Sequence, residues 1–103
     1  MEFIKRAEDL GLTEMEYKEI IRLFIETSIA DLTEFESAKE KNDFQKAFAA
    51  MHSIKGAALS LGFDDISEIA LKIESHAREN NFEYLSSDAT ILINRIERLA
   101  AII

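Results

Sequence analysis

Cysteine is absent from the 103 residues, which excludes disulfides, thiolate chemistry and Cys-ligated zinc. Proline is absent too, and glycine occurs only three times. A small sheet protein needs both at its tight turns, so their scarcity favours an all-α chain. There is no apolar run of about 18 residues of the kind that spans a membrane. Met1-Glu2-Phe3-Ile4-Lys5-Arg6 has no signal-peptide hydrophobic region. The expected setting is therefore the cytoplasm, without membrane contact. A basic excess is missing as well: the formal charge of −8 supplies no stripe to track a nucleic-acid backbone.

What remains is 48% apolar, enough for one core, and no segment reads as a linker, so residues 1–103 are expected to form a single domain. Helix punctuation organises the chain. Gly11 suits the end of a short first helix, roughly residues 2–10. Thr13 and Glu16 then have capping-box spacing, with Leu12 and Tyr17 at the staple positions. Tyr17, Ile21, Phe24, Ser28, Leu32 and Phe35 trace the inward stripe of a second helix reaching about Lys41. Asn42-Asp43 reads as a stop followed by a new N-cap. The third helix is predicted to bury Phe44, Phe48, Met51, Ile54, Ala58 and Leu61 and to end at Gly62. Asp65 and Glu68 repeat the capping-box spacing and open a fourth, with Ile66, Ile69, Ala70, Ile73 and Ala77 inward, closed by Asn80-Asn81. Phe82, Leu85, Ala89, Leu92, Ile96, Leu99 and Ile103 alternate steps of three and four along a fifth. The pattern predicts an all-α, antiparallel up-and-down four-helix bundle with a short additional N-terminal helix.

One stretch breaks the helical rules. Gly56 lies inside the third helix, where glycine costs about 1 kcal/mol relative to alanine, and it has no capping task. His52, Lys55, Gly56 and Leu59 stand at i, i+3, i+4 and i+7 and share a face, while the core stripe should turn the other way. With Ala49 one turn before it and Gly56 one turn after, His52 is expected on a nearly bare strip of backbone, open to a macromolecule. Although the chain has 20 acidic residues, positions 44–63 contain none and include Lys46 and Lys55. A phosphorylated imidazole is anionic, so nearby acids would repel it and an ammonium would attract it.

His52-Ser53-Ile54-Lys55-Gly56, continuing to Gly62, resembles the H-x-x-K-G-x(5)-G signature of histidine-containing phosphotransfer (HPt) domains, helical bundles of about this length. The resemblance covers essentially the whole chain. It implies that His52 is the phosphoacceptor, that Lys55 assists the phosphoryl group, that Gly56 gives a receiver domain access and that Gly62 closes the helix. Leu71-Lys72-Ile73-Glu74 is similar to the family's stretch ending in glutamate on the next helix. The phosphotransfer domains of chemotaxis kinases carry a second histidine three residues before that glutamate. Here Leu71 holds the position and His76 follows two residues after Glu74, a departure from that subgroup alone.

The resemblance implies a phosphorelay carrier without independent turnover. His52 would accept a phosphoryl group from a receiver-domain phosphoaspartate, or from a sensor histidine kinase, and pass it to another receiver. Histidine suits the role because one ring nitrogen is nucleophilic near neutral pH. Ala49 and Leu59, with Phe63 beyond them, are expected to give the partner an apolar contact. No cofactor or metal of its own is expected; magnesium would come with the receiver domain. A monomer is expected, though the apolar end Ala100-Ala101-Ile102-Ile103 leaves packing on the bundle or on a second subunit open. The alternative reading is a receiver-docking bundle that transfers nothing. A carboxylate-bridged di-metal bundle is disfavoured because no Glu-x-x-His occurs.

Overall fold

Thr13 caps the longest helix as its spacing predicts. Its hydroxyl accepts from the Glu16 N–H at 3.1 Å, and the Glu16 carboxylate accepts from the Thr13 N–H at 3.0 Å. The Thr13 backbone bond holds the Glu16 carboxyl below its ordinary value. This capping box therefore supports the fold at neutral pH, and its contribution fades as pH falls through the lowered value. Leu12 and Tyr17, at the staple positions, are half-buried and fully buried. The Tyr17 hydroxyl donates to the Leu61 carbonyl at 2.8 Å, and burial pushes its pKa above the ordinary value.

The computed structural model describes residues 3–80 and 85–103, with side chains from residue 5 onward and beyond Leu85. Five helices follow in order: α1 Phe3–Asp9, α2 Glu14–Glu40, α3 Phe44–Leu61, α4 Asp64–Arg78 and α5 Leu85–Ile102. α2 packs on α3, α3 on α4 and α4 on α5, and α2 meets α5 more lightly. The four long helices thus form an up-and-down bundle, drawn out to 42 × 19 × 18 Å, with α1 laid against α2. No described helix is long and apolar enough to cross a membrane.

Short turns reverse the chain. Asn42 takes a positive φ of 54°, and the Asp43 carboxylate then accepts from the Lys46 N–H at 3.1 Å to cap α3. At the far end Gly62 adopts φ 83°. Its N–H donates to the Leu59 carbonyl at 3.2 Å and the Phe63 N–H donates to Ala58 at 2.9 Å, the paired closure that a left-handed residue permits. A guanidinium N–H of Arg6 on α1 donates to the Gly62 carbonyl, which ties the short helix to this corner.

The stripe of α2 is buried as predicted, and Ala89, Leu92, Ile96 and Leu99 are buried on α5, with Ile103 packed against the core edge. Phe82 and the Leu85 side chain, also assigned to that stripe, and Asn81, assigned to the close of α4, lie outside the described residues. Three expectations need correction. First, on α3 the buried set is Ala47, Ala50, Met51, Ile54 and Ala58, while Phe44, Phe48 and Leu61 are half-buried at its margins. Three of the five buried residues are alanines, and the larger Phe side chains stand at the seams. Ile69 is likewise half-buried.

Second, Asp65 does not cap α4. The helix begins at Asp64, after Phe63, with no side-chain cap. Third, Phe63 is no docking residue. It is fully buried, with its ring 5.6 Å from Phe24, 6.4 Å from Tyr17 and 5.6 Å from the Arg6 guanidinium. Driving this ring into the core fixes where the chain turns, so α4 starts two residues earlier than an Asp65 cap would place it. Asp65 instead meets α5, where Arg95 donates to its carbonyl at 3.0 Å.

Phe63→Ala should therefore destabilise the fold by about 3–5 kcal/mol in urea titration. Leu59→Ala, at a side 62% exposed, should stay within about 0.5 kcal/mol of the parent.

Candidate functional site

α3 sets His52 facing outward from the bundle, with its side chain 62% exposed. Ala49 and Gly56 flank it one turn to either side, and both are exposed. A Cβ built on Gly56 meets nothing within 4 Å. No internal close approach requires glycine here, so the bare strip serves nothing within the fold. Leu59 stands one turn further on, also exposed.

The imidazole is nevertheless held. Its Nδ1 lies 3.2 Å from Oε2 of Glu74, a residue on α4 with a side chain only 2% exposed. The same carboxylate takes the Lys55 ammonium at 2.9 Å on Oε2 and 3.1 Å on Oε1. Arg78, one turn along α4, adds a guanidinium nitrogen 3.5 Å from Oε1. An ionised carboxylate can only accept, so Nδ1 is the donor and carries the ring proton. In a neutral imidazole that leaves the lone pair on Nε2, at the other edge of the ring from the Glu74 contact.

Side chains that the sequence did not assign to this site complete the surroundings. Phe48, assigned to the core, lies instead on the His52 face one turn earlier. The two rings are nearly parallel, at 13° with centroids 5.8 Å apart. The Arg78 guanidinium covers the Phe48 ring at 5.1 Å. On the opposite flank the Ser53 hydroxyl donates to Asp31 of α2 at 2.8 Å.

The acid-free window is thus a property of the sequence alone. Packing brings Glu74 and Asp31 to α3 from its two neighbours, so the site is a compensated cluster and not a basic patch. Lys55 is not a free cation waiting for an anion, because it already neutralises Glu74. Glu74 was hinted at by periodicity. It follows Ala70 by four residues and sits between Ile73 and Ala77, inside the apolar stripe of α4. An acid in that place must find partners or not be buried.

His76 takes no part in this cluster. Its Nε2 lies 3.8 Å from the buried Asp88 of α5, whose other oxygen is 3.7 Å from Lys72. Leu71 is exposed, and Gly62 stays at the corner as a helix cap. Among the described residues no group of three or more His, Cys, Asp or Glu side chains is arranged to hold a metal ion.

Stability should respond unequally to the members of the cluster. Lys55→Ala leaves a buried carboxylate with its main partner gone and should cost about 3 kcal/mol, the lower end of the usual range because Arg78 remains. His52→Ala removes an exposed ring together with one donor to the buried Glu74, and should cost about 1 kcal/mol, less than Lys55→Ala because Lys55 and Arg78 stay on the carboxylate. Thermal unfolding of the two variants compares them directly.

A family model described as the Hpt domain matches residues 19–102. No curated protein and no solved structure matches the chain.

Proposed function

Because this chain belongs to the Hpt domain family, we propose that it carries a phosphoryl group on His52 within a two-component phosphorelay. The observation that supports this best is the division of labour on one ring: Nδ1 is bound to a buried carboxylate while the side chain as a whole stands open to solvent.

The reaction we propose is an in-line displacement. The Nε2 lone pair attacks the phosphorus of a receiver's phosphoaspartate, the bond from phosphorus to the carboxylate oxygen breaks, and the aspartate leaves with that electron pair. Nδ1 keeps its proton throughout, because Glu74 accepts from it. The ring gains positive character as the N–P bond forms, and Glu74 stabilises that charge from below. Transfer onward to a second receiver is the same displacement run in reverse, and a sensor histidine kinase is the alternative donor. Positioning and charge neutralisation dominate phosphoryl transfer, and the receiver would bring magnesium and most of the stabilisation. This chain would then be a protein substrate and carrier without turnover of its own, working in the cytoplasm as a monomer.

Lys55 has two tasks in this reading. It makes burial of Glu74 tolerable, and it keeps an ammonium on the His52 face where the phosphoryl group would sit. Ala49, Gly56 and Leu59 form the partner's approach, with Gly56 leaving room for another backbone.

Incubation with a phosphorylated receiver domain tests the proposal. Acid-labile, base-stable phosphate should appear on the parent protein and be absent from His52→Ala. Receivers that bind without labelling it would leave a docking bundle and remove the relay. Gly56→Leu separates access from folding. The helix should gain about 1 kcal/mol, since glycine is a poor helix former and the added side chain enters open space. Transfer should nevertheless fall by up to about a hundredfold, as a misplacement of about 1 Å can cost.

A further inference from the structure

A single hydrogen bond is a pivot. With only the 3.2 Å contact to Glu74, an imidazole 62% exposed could swing about that point and aim Nε2 over a wide arc. Its plane must be set by something else. Resting on the phosphotransfer reading, we propose that Phe48 and Arg78 are positioning residues that fix the plane of the His52 ring for in-line transfer.

The geometry forms a closed circuit. His52 bonds to Glu74 at 3.2 Å, Glu74 meets Arg78 at 3.5 Å, Arg78 covers Phe48 at 5.1 Å, and Phe48 lies against His52 at 5.8 Å. Phe48 supplies a flat plate parallel to the imidazole, a contact that resists tilting because offset aromatic faces attract over area and not at a point. Arg78 touches both the plate and the acceptor, so it couples the two constraints. Its guanidinium is suited to this, since its planar face can lie on an aromatic ring while its edge meets a carboxylate.

The plate needs a clamp. Beside Phe48 lies a cleft of about 320 Å³ lined by Phe44, Gln45, Phe48, Ala77, Arg78 and Asn80. A phenyl ring at its margin has space to move into, and Arg78 spans the seam from α4 and presses on the ring from that side. One edge of Phe48 packs against the core, but the residue is only half-buried and the Arg78 side chain is 68% exposed, so burial alone does not fix how the two rest on each other.

The test reads ring orientation separately from activity. Long-range ¹H–¹⁵N correlations of the His52 imidazole report its tautomer, and receiver-to-protein phosphotransfer reports its use. The parent should show the Nδ1–H form. Phe48→Leu keeps an apolar side chain but removes the plate, and Arg78→Gln removes the clamp's charge while Lys55 stays on Glu74, with circular dichroism checking that both variants keep the parental helix content. Both should shift the signals towards a mixture of tautomers and slow transfer by about tenfold, within what misplacement of a reacting atom costs. Phe48→Tyr, which restores a flat ring, should recover both readouts. Parental ring signals and rates in Phe48→Leu would overturn the plate, and the same result in Arg78→Gln would overturn the clamp. Should the parent itself accept no phosphate, the relay reading fails, while the ring signals still decide whether the circuit orients His52.

Discussion

Burying the Glu74 carboxylate between α3 and α4 is the constraint around which this protein is arranged. Removing a carboxylate from water costs several kcal/mol, and the cost is met only where opposite charge and hydrogen bonds reach it. Lys55, His52 and Arg78 do so, two from α3 and one from α4 itself. The pairing sets the register between the two helices at this level, because a slide of one turn would strand the acid. It also turns Nδ1 of His52 inward as the donor to the carboxylate. One buried charge thus links the packing of the bundle to the chemistry of its surface.

That arrangement suits a carrier. A group that must be reached by more than one macromolecule has to sit on an open face, yet an exposed side chain is ordinarily free to turn. Here the freedom is removed from beneath, by a carboxylate, and from the side, by an aromatic plate, so that the outer edge of the ring stays uncovered. The bundle supplies stiffness without adding bulk near the site. Alanines supply most of the buried face of α3, and Gly56 leaves the surface bare where a partner's backbone would pass. Leu59 is exposed and available for contact, whereas Phe63 belongs to the core and holds the corner at which α3 ends.

Most of the fold was legible in the sequence because it depends on local interactions. The capping box at Thr13, the reversal at Asn42-Asp43, the glycine at position 62 and the stripe of α2 each concern residues within one or two turns of one another. The errors fell where distant residues compete. Asp65 had the right spacing for a cap, but the core's claim on Phe63 started α4 earlier. Phe48 had the right spacing for the core, but the alanines of α3 took the interior.

By itself the sequence determined that this is an all-helical chain and that His52, Lys55 and Gly56 share one face, because helix formation and helical spacing are local and periodic. Only the tertiary structure decided what surrounds that face. A stretch with no acid in its sequence acquires Glu74 from α4 and Asp31 from α2, and a core-patterned Phe48 becomes the neighbour of the imidazole. Partners on separate helices are chosen by the rotation of each helix about its axis, which the whole core sets at once. No single stretch of sequence carries that rotation.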